Sequence, residues 1–169
     1  MILKTSDNFF DIETQRIIGD YCHRQYYNLF ELDHPDMEPV GGTADVKGEM
    51  WDLFSNRIYS DFKDIVGDMK IYRMYINVNF SNDKPNFHTD GDEGLTFLYY
   101  PHTKWKLNDC GETQLYLKDH IYCVLPLPNR MVVFDASILH RATSFRNGHR
   151  FTVAVLCAPQ SYISKWGLE

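Results

Sequence analysis

Two His-x-Asp pairs in the sequence are candidates for metal binding, because residues two positions apart on a β-strand share a face. The pairs occupy residues 34–36 and 88–90. The second pair is joined by a further histidine, His140, which follows an apolar segment later in the chain. Two histidines and one carboxylate form the ligand set that binds non-haem Fe(II) and leaves coordination positions open for reactants. We therefore predict that His88, Asp90 and His140 bind Fe(II).

The surroundings of the two pairs differ. Residues 88–90 lie between segments with the composition of strands, IYRMYINVNF and GLTFLYYP, which can hold the side chains in place. Residues 34–36 lie within 32–49, which is rich in proline, glycine and acidic residues and is typical of a solvated loop. We therefore predict that His34 and Asp36 are not metal ligands.

A basic residue after the third candidate ligand is suited to hold an anion. Arg150 begins the apolar segment RFTVAVLCA, and Thr152 shares its strand face. A 2-oxo acid can fill two open positions on Fe(II), and dioxygen can fill the third. The distal carboxylate of 2-oxoglutarate then needs a partner, which a guanidinium supplies through two parallel charge-assisted hydrogen bonds. We predict that Arg150 and the Thr152 hydroxyl bind this co-substrate.

Polar residues also alternate with apolar ones along the segment 70–80. Tyr75, Asn77 and Asn79 fall on one strand face, and Ile76 and Val78 fall on the other. A polar face beside an apolar core indicates a pocket, so Tyr75 and Asn77 are further candidates for contact with the co-substrate.

These residues require a β-rich framework, and one is predicted after residue 69. Short segments rich in Ile, Val, Phe, Tyr and Thr are separated there by Gly, Pro, Asn and Asp. The predicted strands cover residues 70–80, 94–101, 112–117, 120–125, 131–135, 138–144 and 150–158. Most connections are too short for crossover helices, which predicts an antiparallel sandwich or barrel.

Helical periodicity precedes the strands. Apolar spacing predicts a helix over 11–30 with Asp11 as its N-cap, and a second helix over 50–66 that Gly67 ends. The predicted α+β domain spans residues 1–169, with helical support over 1–68 and a β core over 69–158.

Composition argues against several other classes of protein. The formal net charge is −6, whereas nucleic-acid-binding proteins usually present a basic surface. The four cysteines form no C-x-x-C pair, which argues against a zinc ribbon or a dithiol redox site. The chain has no run of 18 apolar residues and no signal-peptide pattern, so we expect a cytoplasmic protein without a membrane partner.

Residues 70–158 resemble the Fe(II)/2-oxoglutarate-dependent oxygenases, particularly the prolyl 4-hydroxylase-like branch. The matching segments, in the family's order, are His88-Thr89-Asp90, Thr96-Phe97-Leu98-Tyr99-Tyr100, Gly111-Glu112-Thr113, Met131-Val132-Val133-Phe134-Asp135, His140-Arg141-Ala142 and Arg150-Phe151-Thr152. The resemblance implies a double-stranded β-helix, a jelly roll of the cupin type, with N-terminal helices packed on one sheet. It also implies that His88, Asp90 and His140 bind iron, and that Arg150 and Tyr100 bind the 2-oxoglutarate carboxylate.

The resemblance further implies a dioxygenase that hydroxylates an unactivated C–H bond and converts 2-oxoglutarate to succinate and CO2. The carboxylate at Asp90 favours hydroxylation over halogenation, because related halogenases have a small residue there. We predict a peptidyl substrate residue, proline first, with a free amino acid or small metabolite as the alternative. Two features depart from the family: Cys110 stands where glycine is common, and the segment SNDKPNF lacks a tyrosine that many prolyl hydroxylases carry.

Two other hypotheses stay open from the sequence. A non-catalytic β-helix could bind a ligand without turnover, although the complete ligand set argues against it. A nucleic-acid repair dioxygenase is disfavoured by the acidic charge and by the lack of an evident basic lid. Substrate choice is expected to depend on residues 32–49, 81–87 and Trp105. The sequence leaves the oligomeric state open. The remaining histidines are predicted to have surface or structural roles; they are His23, His102, His120 and His149.

Overall fold

Two antiparallel β-sheets form the framework, and three helices pack against one face of the larger sheet. The computed structural model describes residues 3–31, 39–146 and 148–168. The strands are β1 (Leu3–Ser6), β2 (Asn28–Glu31), β3 (Val40–Asp45), β4 (Lys70–Phe80), β5 (Leu95–Tyr100), β6 (Thr113–Leu117), β7 (His120–Val124), β8 (Arg130–Asp135), β9 (His140–Ala142) and β10 (His149–Ala158). The helices are α1 (Ile12–His23), α2 (Glu49–Asp61), α3 (Lys63–Val66) and α4 (Gln160–Trp166), with a 3-10 turn at Leu107–Asp109.

The central strand of the larger sheet is β10. The larger sheet has the order β1-β8-β5-β10-β4-β3-β2, and the smaller has the order β7-β6-β9. Arg150 on β10 lies opposite Asn79 on β4. Leu156 on β10 lies between Thr96 on β5 and Arg73 on β4. All seven strands predicted after residue 69 are present and antiparallel.

Alternation along the central strands separates two environments. One face carries apolar side chains into a core shared with the helices, including Ile76, Phe97 and Val153. The other face turns toward the smaller sheet and mixes apolar residues such as Leu98 with buried polar residues such as Thr152. Because side chains alternate along a strand, the polar set of β4 and the polar start of β10 share this second face.

Both predicted helices begin where expected, and the second also ends where expected. The Asp11 carboxylate accepts hydrogen bonds from the backbone N–H groups of Glu13 and Thr14 and caps α1. The second helical stretch is divided at Phe62 and ends at Gly67. Among the described helices, none is long and apolar enough to cross a membrane.

The region before residue 50 corrects two predictions. The first helix stops at His23 instead of residue 30, and the supposed loop contains strand β3, while residues 32–38 lie outside the described residues. The Gly41-Gly42 pair is typical of a loop, but in the structure these glycines allow neighbouring strands to pack closely. A Cβ atom on Gly42 would lie 2.8 Å from the Asn28 carbonyl oxygen, and one on Gly41 would overlap the Val78 carbonyl. Strands β1 and β2 and helix α4 were also missed, because such short elements lack a clear period.

The half-buried His102 joins α1 to the segment that follows β5. The His102 ring stacks with Phe145 and Phe151, and its Nε2 accepts a hydrogen bond from the Phe151 backbone N–H at 3.2 Å. The His102 carbonyl accepts a hydrogen bond from the Gln15 side chain. Burial, reinforced by the nearby Arg150 charge, lowers the pKa of His102 to about 4. The structural role predicted for this histidine is confirmed.

We predict that protonation of His102 contributes to acid destabilisation. The unfolded chain protonates this residue near its ordinary pKa of 6.5, whereas the folded chain protonates it only near pH 4. Stability is therefore lost as the pH falls between these values, by about 3 kcal/mol. Urea unfolding of metal-free protein at pH 7 and pH 4 should show a smaller loss for His102→Gln. The exposed His120→Gln is the control, and an unchanged pH dependence in His102→Gln would refute this assignment.

Candidate metal centre and anion pocket

The three candidate metal ligands meet where the two sheets approach each other. His88 follows β4 and forms an antiparallel bridge with His140 at the start of β9. Each donates a backbone hydrogen bond to the other's carbonyl, at 3.0 and 2.8 Å. Ligand atoms of His88, Asp90 and His140 all lie within 4.8 Å of one another. Two imidazoles and one carboxylate at this spacing suit a divalent transition metal.

Backbone carbonyls select the tautomer of both histidines. His88 Nδ1 donates to the Asn86 carbonyl at 3.1 Å, and His140 Nδ1 donates to the Ile138 carbonyl at 2.9 Å. A carbonyl oxygen can only accept, so the proton of each neutral ring lies on Nδ1 and the lone pair lies on Nε2. Both rings are therefore prepared to bind a metal through Nε2.

A threonine orients the third ligand. The Thr96 hydroxyl donates to Asp90 Oδ2 at 2.5 Å, and the Asp90 backbone N–H donates to the Ala136 carbonyl at 3.0 Å. The same Oδ2 atom lies 3.4 Å from His140 Nε2. These contacts direct the carboxylate toward the histidines. Sequence analysis missed Thr96, although its position on the strand face shared with Tyr100 is the signal that could have identified it.

A cavity of about 480 Å³ extends from these ligands to a buried arginine. Arg150 has only 1% of its surface exposed. Its Nη2 donates to Thr113 Oγ1 at 2.8 Å, and its Nη1 lies 3.4 Å from Asn79 Oδ1. Its Nε has no hydrogen-bond partner among the described residues. The guanidinium is thus held at one end of the cavity with donor capacity to spare.

The charge of Arg150 makes this end of the cavity a candidate anion site. Burial lowers the pKa of Arg150, while the nearby Tyr100 and Glu112 oppose that change, and an arginine remains protonated even so. Its hydrogen bonds within the described part of the chain go to the neutral side chains of Thr113 and Asn79. A buried cation is costly without a counterion. A ligand carboxylate fits both the charge and the remaining N–H groups.

A glycine makes room for the arginine. Gly111, at a φ of +85°, precedes β6. A Cβ atom there would lie 2.8 Å from the Phe145 ring and 3.2 Å from Arg150 Cδ. Glycine is therefore needed for both backbone conformation and space. The preceding Cys110, at the position where the family commonly has glycine, also adopts a positive φ of 60°.

The other predicted contacts divide into two groups. Thr152, Asn77 and Tyr75 line the cavity, and their contact with a co-substrate stays a prediction. Tyr100 is fully buried behind Arg150, with its ring 5.3 Å from Arg150 Cζ. Its hydroxyl donates to Thr113 Oγ1 at 2.8 Å, so the residue supports the guanidinium from behind. Thr113 was not singled out from the sequence, although it belonged to a matching segment.

Some of the segments expected to cover the mouth of the cavity do line it. Val40 and Thr43 of β3 and Pro85 of the segment before His88 line it. Trp105 instead donates its indole N–H to the Cys110 carbonyl at 2.9 Å and supports the turn before β6. The pair at 34–36 lies outside the described residues.

The remaining histidines stand apart from the metal ligands. The exposed His149 contacts His23 and Phe151, on the strand face opposite Arg150, as predicted. His120 is an exposed partner of Asp119. The described residues contain one cluster with metal-ligand spacing, and it is the predicted one.

Comparisons with known proteins agree with this geometry. The family model described as the 2OG-Fe(II) oxygenase superfamily matches residues 69–157, just over half of the chain. No curated protein matches the sequence significantly. A prolyl 4-hydroxylase from Pseudomonas putida is similar in structure, with a TM-score of 0.74 and 12% identity, over 94% of this chain and 92% of that one.

Two further structures have the same fold. A prolyl hydroxylase from Trichoplax adhaerens, in complex with a hypoxia-inducible-factor peptide, has a TM-score of 0.75 and 15% identity, over 96% of this chain and 86% of that one. HygX from Streptomyces hygroscopicus was solved with nickel, 2-oxoglutarate and hygromycin B bound. It has a TM-score of 0.72 and 9% identity, over 94% of this chain and 83% of that one. The predicted double-stranded β-helix, with helices on one sheet, is confirmed.

We predict that Thr96→Val weakens metal binding while leaving the fold intact. The substitution keeps the side-chain shape but removes the hydroxyl that orients Asp90, and loss of such a contact lowers metal affinity by roughly tenfold or more. Anaerobic titration with Co(II) or Fe(II) measures this change. Thr113→Val, which alters the anion pocket alone, is the matched control. Equal metal affinity in wild type and Thr96→Val would refute the orienting role.

Proposed function

The chain belongs to the 2OG-Fe(II) oxygenase superfamily, and we propose that it hydroxylates an unactivated C–H bond, with a peptidyl residue such as proline as the first candidate substrate. It is a 2-oxoglutarate-dependent dioxygenase and uses Fe(II), 2-oxoglutarate and O2. We further propose a substrate class and a role for each residue of the site.

We assign the metal to His88, Asp90 and His140. The donor set suits Fe(II), both Nε2 lone pairs are prepared, and the carboxylate is oriented by Thr96. When bound, Fe(II) and 2-oxoglutarate supply the oxidising chemistry that places one oxygen atom of O2 on the substrate carbon, with release of succinate and CO2. The protein holds these reactants in position and keeps the surroundings dry.

The observation that carries the proposal is the buried Arg150 in the cavity shared with the metal ligands. We assign the distal carboxylate of 2-oxoglutarate to this guanidinium, whose Nε and cavity-facing edge are left for a ligand. Thr152, Asn77 and Tyr75 line the path between the two ends of the site and are proposed to contact the co-substrate. Tyr100 is proposed to orient Arg150 through Thr113.

Apolar walls limit the water that can enter beside these polar groups. Leu98, Ala154 and Leu156 line the cavity on the face of the larger sheet. Their burial lowers the local dielectric, so the arginine and the carboxylate interact more strongly than they would in water. Arg150 lies on strand β10, and His140 begins strand β9. His88 and Asp90 lie between β4 and β5, where backbone hydrogen bonds and the Thr96 hydroxyl hold them in place.

The substrate class is supported by likeness alone. Two of the similar structures are prolyl hydroxylases, one of them with a peptide bound, which favours a peptidyl substrate. HygX, solved with hygromycin B, supports the alternative of a small molecule. We propose the cytoplasm as the compartment, because a reducing environment suits Fe(II) and the four cysteines are free.

We predict that Arg150→Lys weakens 2-oxoglutarate binding and leaves metal binding unchanged. An ammonium group cannot reproduce the bidentate contact, so we expect a loss of affinity of roughly 30-fold, or about 2 kcal/mol. The visible absorption band of the anaerobic Fe(II)–2-oxoglutarate complex measures both affinities. Arg130→Lys is the matched control, because Arg130 forms a two-point ion pair with Asp7 away from the cavity. Equal weakening of metal and co-substrate would contradict the assigned roles.

We predict that His140→Ala abolishes metal binding and the succinate formed when air is admitted. The substitution removes one of three ligands, whereas His34→Ala removes a histidine that we predict to be uninvolved. Succinate release from wild type should rise when the correct substrate is added, and proline-containing peptides and free amino acids should be compared in that assay. Metal binding retained in His140→Ala would refute the proposed centre.

A further inference from the structure

A second arginine lines the same cavity. Arg73 and Arg150 are the two lysine or arginine side chains among the described lining residues, and Asp90 is the one carboxylate. The first arginine is exposed, whereas the second is fully buried. The proposed chemistry uses Arg150 but leaves Arg73 without a role.

The register of the strands places Arg73 at the other end of the cavity from Arg150. Asn79, which lies opposite Arg150, is six residues along β4 from Arg73, or roughly 20 Å at 3.3 Å per residue. Across the sheet, Arg73 on β4 lies opposite Leu156 on β10, and Leu156 lies opposite Thr96 on β5. Thr96 is the residue that orients Asp90. Two strand spacings separate the backbones of Arg73 and Thr96, about 10 Å. Arg73 thus lies on the metal side of the cavity.

The Arg73 guanidinium is oriented by an aromatic ring. Its Cζ lies 4.4 Å from the centre of the Tyr75 ring, and both residues share the cavity face of β4. Such stacking covers one face of the guanidinium and leaves its N–H edge available. The side chain therefore loses less conformational entropy on binding a ligand than a fully mobile arginine would.

No acidic residue in the described part of the chain forms an ion pair with Arg73. The acid nearest in register is Asp45 on β3, opposite Tyr75, and it pairs with Lys47 at 3.2 Å. Arg73 is exposed and lines the cavity. It creates a local positive potential that favours an anion.

The charges of the proposed complex also leave one positive charge without a partner. A divalent metal and Arg150 carry three positive charges, and Asp90 with doubly ionised 2-oxoglutarate carries three negative charges. These groups neutralise one another and leave the charge of Arg73 unmatched. A further anion entering the cavity would complete the balance.

We propose that Arg73 binds a carboxylate of the substrate and so determines which carbon is presented to the metal. This inference rests on the proposed hydroxylase function. The N–H edge of the guanidinium matches the two oxygens of a carboxylate. A free amino acid and the C-terminus of a short peptide both supply this group, and the two sources share the same chemistry.

Matched acids and amides test the proposal. The anaerobic Fe(II)–2-oxoglutarate complex is titrated with proline and other amino acids against their amides, and with short proline-containing peptides ending in carboxylate or amide. Binding is followed by calorimetry and by the change in the visible band. At least one acid should bind about tenfold more tightly than its amide, as expected for one charge-assisted contact. Preference for the free amino acid or for the peptide identifies the source.

Variants at Arg73 then assign the preference to this residue. Arg73→Gln should abolish the acid preference without changing affinity for 2-oxoglutarate, and Arg73→Lys should retain part of it. Arg57→Gln is the matched control, because Arg57 also stacks on an aromatic ring, Phe9, but packs on the helical side of the sheet.

The outcomes separate this inference from the function on which it rests. A wild-type protein that formed no 2-oxoglutarate complex would contradict the proposed function itself. A wild-type complex with no acid bound more tightly than its amide, or a preference kept in Arg73→Gln, would overturn the role of Arg73 alone.

Discussion

The site depends on one buried positive charge. A guanidinium with 1% exposure is costly to enclose unless hydrogen bonds and an anion compensate for lost hydration. Thr113 and Asn79 provide part of this compensation, Tyr100 packs on the guanidinium, and Gly111 leaves space for its side chain. The remainder is left for a ligand. We propose that these neutral contacts leave the charge of Arg150 available to a ligand carboxylate.

The three proposed metal ligands come from separate segments of the chain and must be held close together. The backbone bridge between His88 and His140 fixes one distance, and carbonyl acceptors fix both ring tautomers. The Thr96 hydroxyl reaches from the larger sheet to Asp90, which lies in the segment between β4 and β5.

Local pattern predicted the strands after residue 69 because each is long enough to show alternation or a continuous apolar run. Local pattern did not predict the strands that precede residue 50. Strand β3 contains the Gly41-Gly42 pair, whose purpose is close approach to Asn28 and Val78, and such packing leaves no local signal. Strand β1 has only four residues and exists because it pairs with β8, more than 100 positions away.

By itself, the sequence determined the chemistry. It supplied His88, Asp90, His140 and Arg150 as residue types in an order that resembles one family, and it placed Thr152 on the same strand face as Arg150. Tertiary structure alone decided which neutral residues complete the site, since Thr96 and Thr113 meet their partners across strands. It also decided that Arg73 lines the cavity beside the proposed metal ligands, where no described acidic residue forms an ion pair with it. Ion pairing and burial depend on distances between remote segments, which spacing along the chain does not encode.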